Sequence, residues 1–473
     1  MPDGGKLAWP VTARERDYPS KFWPTPGPIK MSANSSSTTT THDHGTHSSH
    51  EVAPGEIAVG VVVGRTSEYF DFFVYGIASA LVFPSVFFPF APKLEATLYS
   101  FAVFALAFIA RPFGTMLFLW IQRRWGRGTK LTAALFLLGT CTAGIAFLPG
   151  YVTLGMTSVV LLSVLRFLQG IALGGSWDGL PSLLALNAPK GHRGWYAMLG
   201  QLGAPTGFIV AAGLFAYLYA SLPLADLLDW GWRYPFFAAF AINVVALFAR
   251  LRLVVTDEYA REMDEHELAP VRVTELMKAR GRYVVIGAFT ALASYALFHL
   301  VTIFPLSWIL LFSKQSVPQF LIVQIIGAFL AAGGIVASGF IADRLSRPRT
   351  LGALAVAIAA FSGFAPTLLG AGTVGQDVYI LAGFLLLGLS YGQAAGALNA
   401  NFGDRYRYTG AALSNDIAWL IGAAFAPLVA LGLCAKFGLA YVGVYLLSGA
   451  LATLAALGVN RWLRLKRETV RAK

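Results

Sequence analysis

Of 473 residues, 56% are hydrophobic and only 13% charged, about half the charged share of an ordinary soluble domain. A water-soluble fold could not hide so much apolar surface, so lipid is the solvent this chain calls for. The net charge of +12 falls in short clusters between apolar blocks, where Lys and Arg act as topological anchors; this sets nucleic acid aside as a partner.

Residues 1–55 are polar and broken by Pro and Gly, with a low-complexity run from Ser35 to Thr41 and four histidines, His42, His44, His47 and His50. They cannot bury a core and read as a disordered cytoplasmic tail. Met31 opens a tail of more usual length and is an alternative start. No signal peptide is visible ahead of the first long apolar block. Twelve such blocks follow, at 57–83, 96–121, 131–148, 154–180, 195–218 and 234–255, then 283–312, 318–342, 351–369, 378–398, 410–434 and 439–459. Most approach the roughly 20 residues that a helix needs to cross hydrocarbon, and only helices satisfy their own backbone there. Cys141 and Cys434 lie in distant blocks, so neither a disulfide framework nor a metal site is indicated.

With the N-terminus inside, the connections and C-terminal tail on that side hold 24 Lys and Arg against four outside, which orients both termini to the cytoplasm. The expected class is an all-α membrane protein of twelve transmembrane helices in two pseudo-symmetric six-helix bundles. Its bounds are 56–255 for the first bundle, 256–282 for a charged cytoplasmic linker, 283–460 for the second bundle and 461–473 for a basic cytoplasmic tail. Gly170, Gly174 and Gly175 in the fourth span echo Gly388, Gly392 and Gly396 in the tenth. Repeated halves facing one another are how many transporters place a site at the bilayer midplane.

Ionisable groups inside spans are costly and so mark function by default. Glu68 and Asp71 stand three apart on the first span and are expected to share a face. At about 1.5 Å per residue, Asp71, Arg111 and Arg166 all fall near mid-membrane. Such groups can pair, hold an anionic solute at arginine, or exchange a proton at a desolvated carboxylate. A structural ion pair with no part in turnover is the plainer alternative. His299 could carry a proton, though a lone histidine in an apolar helix more often bonds a neighbouring carbonyl. Asp416 falls in the first turns of the eleventh span, near the cytoplasm, where an acid complements the helix N-terminus; a functional role is the alternative. In the fifth span, Gln201 precedes Pro205 within Gly203 to Gly207. A kink with a free neutral polar side chain suggests a cavity wall.

Five stretches together carry a resemblance: Glu68-Tyr69-Phe70-Asp71-Phe72, Arg111-Pro112-Phe113-Gly114, Arg166-Phe167-Leu168-Gln169-Gly170, Gln201 to Gly207, and Gly231-Trp232-Arg233-Tyr234-Pro235-Phe236. On these, residues 57–460 resemble the major facilitator superfamily, and within it the metabolite:proton symporters that include α-ketoglutarate, citrate, shikimate and proline/betaine permeases. The resemblance implies two bundles around a cavity that opens alternately to each side, uptake driven by the proton gradient, and a monomer. It maps the family's first-span acid to Asp71, its second-span arginine to Arg111 and its fourth-span arginine to Arg166.

The family's loop motif between the second and third spans is altered, with Leu119 in place of glycine and Arg123 in place of aspartate, followed by Arg124 and Arg127. The second copy is intact, with Gly339, Asp343, Arg344 and Arg347. After the fourth span Ser176 replaces the usual glutamate, and a new acid, Asp178, follows. Asp178 is therefore expected to pair with Arg123, Arg124 or Arg127 as a charge latch. The loop 401–410 keeps the family's Arg-Tyr-Thr-Gly ending, with Asn401 where an acid is usual.

The functional expectation is a secondary transporter moving a small polar metabolite by proton symport. Asp71 or Glu68 would exchange the proton, and Arg111, Arg166 and Gln201 would contact the substrate. Two buried arginines fit a carboxylate, and equally a zwitterion or a neutral polyol. A proton-driven exporter and a solute sensor without flux are the alternatives. No cofactor, and no enzyme, is expected: the sequence has no nucleophile beside a base, no metal-spaced cluster and no phosphate loop.

Overall fold

A backbone buried in hydrocarbon must satisfy its amides within its own segment, and every long segment among the described residues is helical. A computed structural model describes residues 54–176, 188, 191–254, 269–399 and 402–471. The predicted tail up to residue 53, Asp178 and the centre of the linker lie outside the described residues.

Helix α1 is Pro54–Leu81. The next helix runs without a gap from Lys93 to Phe147, 55 residues, which at about 1.5 Å per residue would span roughly 80 Å, far more than a bilayer. It is instead two arms, α2 (93–125) and α3 (127–147), turning back at Gly126 (φ 87°, ψ 172°). Phe104 of one arm and Thr142 of the other both bond to the next helix, at Arg166 and Gln169. Helices α4 (Met156–Gly175), α5 (Arg193–Ser221) and α6 (Arg233–Val254) complete the first half.

In the second half, α7 comes in three pieces, Val273–Thr290, Leu292–Thr302 and Phe304–Phe312. It begins ten residues before the apolar block expected from residue 283. Next come α8 (Val317–Leu345), α9 (Arg347–Gly370) and α10 (Gly372–Leu398). Helix α11 runs as Asp404–Ala418, a π-helical turn Trp419–Ala424 and Ala426–Phe437. Helix α12 (Ala440–Arg471) continues through most of the predicted basic tail. These make twelve crossings in two six-helix halves. Phe136, Val245, Phe248, Phe329 and Phe364 are exposed around the outside, an apolar belt that lipid covers.

The repeat suspected from the glycines is visible in atomic contacts. A Cβ built on Gly170 would lie 2.6 Å from Ala107 Cα, and one built on Gly388 would lie 2.6 Å from Ala331 Cα. The α2/α4 and α8/α10 crossings are thus the same close-packed joint made twice. The corners correspond too. Gly126 turns α2 into α3, and Ser346 (φ 75°), the one non-glycine with positive φ among the described residues, turns α8 into α9.

The run Gly231 to Phe236 has a packing role. Arg233 Nη1 donates to the Ala146 and Leu148 carbonyls at 2.7 and 2.8 Å, closing the C-terminal end of α3. Trp232 is wedged edge-on against Phe83 and Phe87.

Candidate functional site

Asp71 and Arg166 face each other inside the first half without touching. Arg166 Nη1 donates to Gln169 Oε1 at 3.1 Å, Gln169 Nε2 to Thr142 Oγ1 at 2.9 Å, and Thr142 Oγ1 to Asp71 Oδ1 at 2.7 Å. Two neutral side chains therefore separate acid and base. Arg166 is 1% exposed. Its Nε bonds the Phe104 carbonyl at 3.3 Å, its guanidinium carbon lies 3.7 Å from the centre of the Tyr75 ring, and its Nη2 has no hydrogen-bond partner. The Tyr75 ring face replaces part of the lost hydration of the cation.

Glu68 does not share the surroundings of Asp71. Its Oε2 accepts from Arg65 Nη1 at 2.7 Å, and it lines a cavity of about 30 Å³ with Arg65, Tyr69, Phe108, Arg111 and Trp419. A second cavity of about 20 Å³ lies among Phe73, Pro205, Phe298, Thr302 and Tyr391. Each has room for a water or two and not for a metabolite, so the centre is closed in this conformation. Gln201 occupies the 3-10 turn Gly200–Leu202, where Pro205 four residues on withholds the amide that would bond its carbonyl. The Gln201 side chain is buried, lines neither cavity and leaves Oε1 without a hydrogen bond.

Aromatic rings close the seam between the halves. Phe73 stacks on Phe298 (5.6 Å, 8°), Phe108 on Trp419 (5.8 Å, 22°) and Phe72 on His299 (5.4 Å, 26°). The hydroxyls of Tyr69 and Tyr391 bond across the same seam. His299 is fully buried, with Nδ1 3.4 Å from Thr302 Oγ1 and no partner on Nε2.

Arg111 finds its acid in the other half. Its Nε lies 2.8 Å from Asp416 Oδ1, and Thr115 donates to Asp416 Oδ2. Because α11 starts at Asp404, Asp416 is three turns inside the helix. The N-terminal role expected for it fails on that ground, since such effects fade within the first turn. Lys130, counted from sequence among the surface anchors, is buried and donates to Tyr408 Oη at 3.0 Å, and Tyr408 donates to Gln122 Oε1 at 3.0 Å. This joins the α2–α3 corner to the start of α11.

The corresponding contact in the second half uses the motif residues themselves. Asp343 accepts from the Gly194 amide at 2.6 Å and the Trp195 amide at 3.2 Å, capping α5. Arg347 donates to the carbonyls of Gly396 at 2.9 Å and Arg193 at 3.2 Å. Arg344 is exposed. In the altered first copy, Arg123 Nη1 reaches the Val271 carbonyl at 3.2 Å, and exposed Arg124 lies over the ring of Trp125 at 5.9 Å. Arg127 is half-buried. The latch expected between these three and Asp178 falls outside the described residues.

Two six-helix halves, closed over a charged and aromatic centre, have the architecture of a membrane carrier. Residues 57–282 match the family model described as sugar (and other) transporter. Over 430 residues, covering 89% of this chain and 97% of the relative, the chain is 34% identical to an inner membrane metabolite transport protein of Escherichia coli K12. The shikimate transporter of the same bacterium is 29% identical over 83% of this chain and 91% of its own length. Among solved structures, a D-xylose-proton symporter superposes with a TM-score of 0.65 at 20% identity, covering 85% of this chain and 96% of that one. The chain belongs to the major facilitator superfamily, among its metabolite transporters.

Proposed function

We propose that this metabolite transporter works as a monomeric proton symporter for a small polar solute carrying a carboxylate, with Asp71 as the proton-exchanging group. The observation that carries the reading is the chain from Arg166 through Gln169 and Thr142 to Asp71. A buried carboxylate in direct contact with a cation keeps its charge. Asp71 has the neutral side chains of Thr142 and Asn243 as its near partners and the cation two side chains away, so no ion pair fixes its charge. Arg166, sealed from both cavities, acts on Asp71 rather than on the solute. The solute site is the cavity beside Arg111, Arg65 and Glu68, enlarged when the aromatic seam parts, with Gln201 contributing once α5 moves. The surplus of Lys and Arg on the face of the Gly126 and Ser346 corners supports a cytoplasmic orientation for it. Asp343 and Arg347 form the gate there, with Arg123, Arg124, Arg127 and Arg344 as surrounding charge.

The test is uptake of radiolabelled dicarboxylates, shikimate-like acids and betaines into proteoliposomes under an imposed inward proton gradient. Accumulation that needs both the gradient and Asp71 supports symport. Gradient-driven efflux in its place would make the protein an exporter, and ligand-induced thermal stabilisation without flux would make it a sensor.

A further inference from the structure

The Arg111 guanidinium stands between two things. On one side is the cavity it lines with Glu68, Arg65 and Trp419; on the other is Asp416 of the opposite half at 2.8 Å. Asp416 itself is 2% exposed and does not line that cavity. The equivalent joint in the second half carries no such pair, because Ile335 takes the place of Arg111 against Gly392. Thr115 from α2 completes Asp416, while Lys130 from α3 and Tyr295 from α7 act on it at longer range.

We propose that Asp416 occupies Arg111 in the empty carrier as a stand-in for the carboxylate of the substrate, so that an anion entering the cavity competes with Asp416 for Arg111, displaces it, and in doing so parts the two halves. The proposal rests on the carboxylate reading above and adds how binding is coupled to opening. Water cannot break a buried ion pair cheaply, because each charge would be left uncompensated. A second carboxylate can, because Arg111 merely exchanges one anion for another. The freed Asp416 keeps the Thr115 hydroxyl and the field of Lys130. After release, Asp416 recaptures Arg111 and draws the empty carrier back to the closed arrangement. Substrate and Asp416 thus bias one equilibrium in opposite directions.

The experiment compares the full-length wild-type protein with Asp416→Asn, and with Asp416→Glu, which keeps the charge. Counterflow of labelled shikimate, succinate and acetate is measured in proteoliposomes preloaded with the unlabelled acid. In parallel, spin labels at Thr129 and Arg349, exposed positions on opposite halves, report their separation in the absence of any anion. In Asp416→Asn the half-saturation concentration of a transported acid should fall about five- to tenfold, because the competing state no longer taxes binding. Net uptake should slow relative to counterflow, and a longer label separation should appear without ligand. Asp416→Glu should restore the wild-type separation. Transport with unchanged half-saturation, or an unchanged separation, overturns this proposal alone. If none of the three acids is exchanged by any variant, the carboxylate reading falls with it.

Discussion

Asp71 and Asp416 are both buried aspartates near an arginine, fully buried Arg166 for the first and half-buried Arg111 for the second, and the protein treats them differently. Asp71 lies within one half and reaches Arg166 only through Thr142 and Gln169. Asp416 meets Arg111 directly, and the partners belong to different halves. On the proposed reading, the first arrangement serves proton exchange without any helix moving. The second ties a charge contact to the relative position of the halves. On the two proposals, what separates the roles is not the proximity of acid to base but whether the contact crosses the seam between the halves.

Removing one partner from each pair tests this contrast. Arg111→Ala strands the Asp416 charge and should cost ~3–5 kcal/mol of stability, read as a lowered thermal midpoint. Combining Arg111→Met with Asp416→Leu should recover most of it, and equal midpoints for the single and double variants would remove the claim of a compensated pair. Asp71→Asn should leave the midpoint nearly unchanged while reducing gradient-driven uptake on the order of a hundredfold. Counterflow, which needs no net proton movement, should survive; losing both together would argue for a structural role.

The two corners allow a finer comparison. Asp343→Ala removes the cap from α5 and should cost ~1–2 kcal/mol in thermal unfolding. Tyr408→Phe removes the hydroxyl joining Lys130 to Gln122 and should cost ~1 kcal/mol. The reverse order would mean that the altered first copy of the motif is the stronger latch.

Hydropathy alone located all twelve crossings, because the cost of an unsatisfied backbone in lipid leaves no alternative to helices. It erred where polar residues continue a helix. Asp404 to Thr409 are helical although charged, so the start of α11 was placed at residue 410, and that misplacement suggested a helix-end role for Asp416. Arg461 to Arg471 likewise prolong α12 rather than leave it. Gly126 gave no sign that two spans would run on as one helix with a sharp corner.

Within the site, Asp71, Arg111 and Arg166 stood out because charge is conspicuous in an apolar block. Thr142 and Gln169, which connect two of them, are neutral and common in membrane helices, so Thr142 passes unnoticed and Gln169 stands out only as part of a family stretch. The π-helical turn that presents Trp419 has no compositional mark. The pairing of Arg111 with Asp416 joins residues 305 positions apart, and no local pattern can report such a contact. Lys130 was hidden by its company, since three arginines in a row of corner residues make a fourth cation look like another anchor.

The ion pair across the seam also has an electrical consequence. While Arg111 and Asp416 are joined, their charges cancel at one depth in the bilayer, and the membrane voltage has nothing there to pull on. Once they separate, each half carries an unbalanced charge, and the field acts on each at about 2.3 kcal/mol per elementary charge per 100 mV, scaled by the share of the field it crosses. A cell's resting voltage would then act on this pair only in the part of the cycle when the halves are apart, so its contribution should make the return of the empty protein vary with voltage while leaving the closed resting state unaffected.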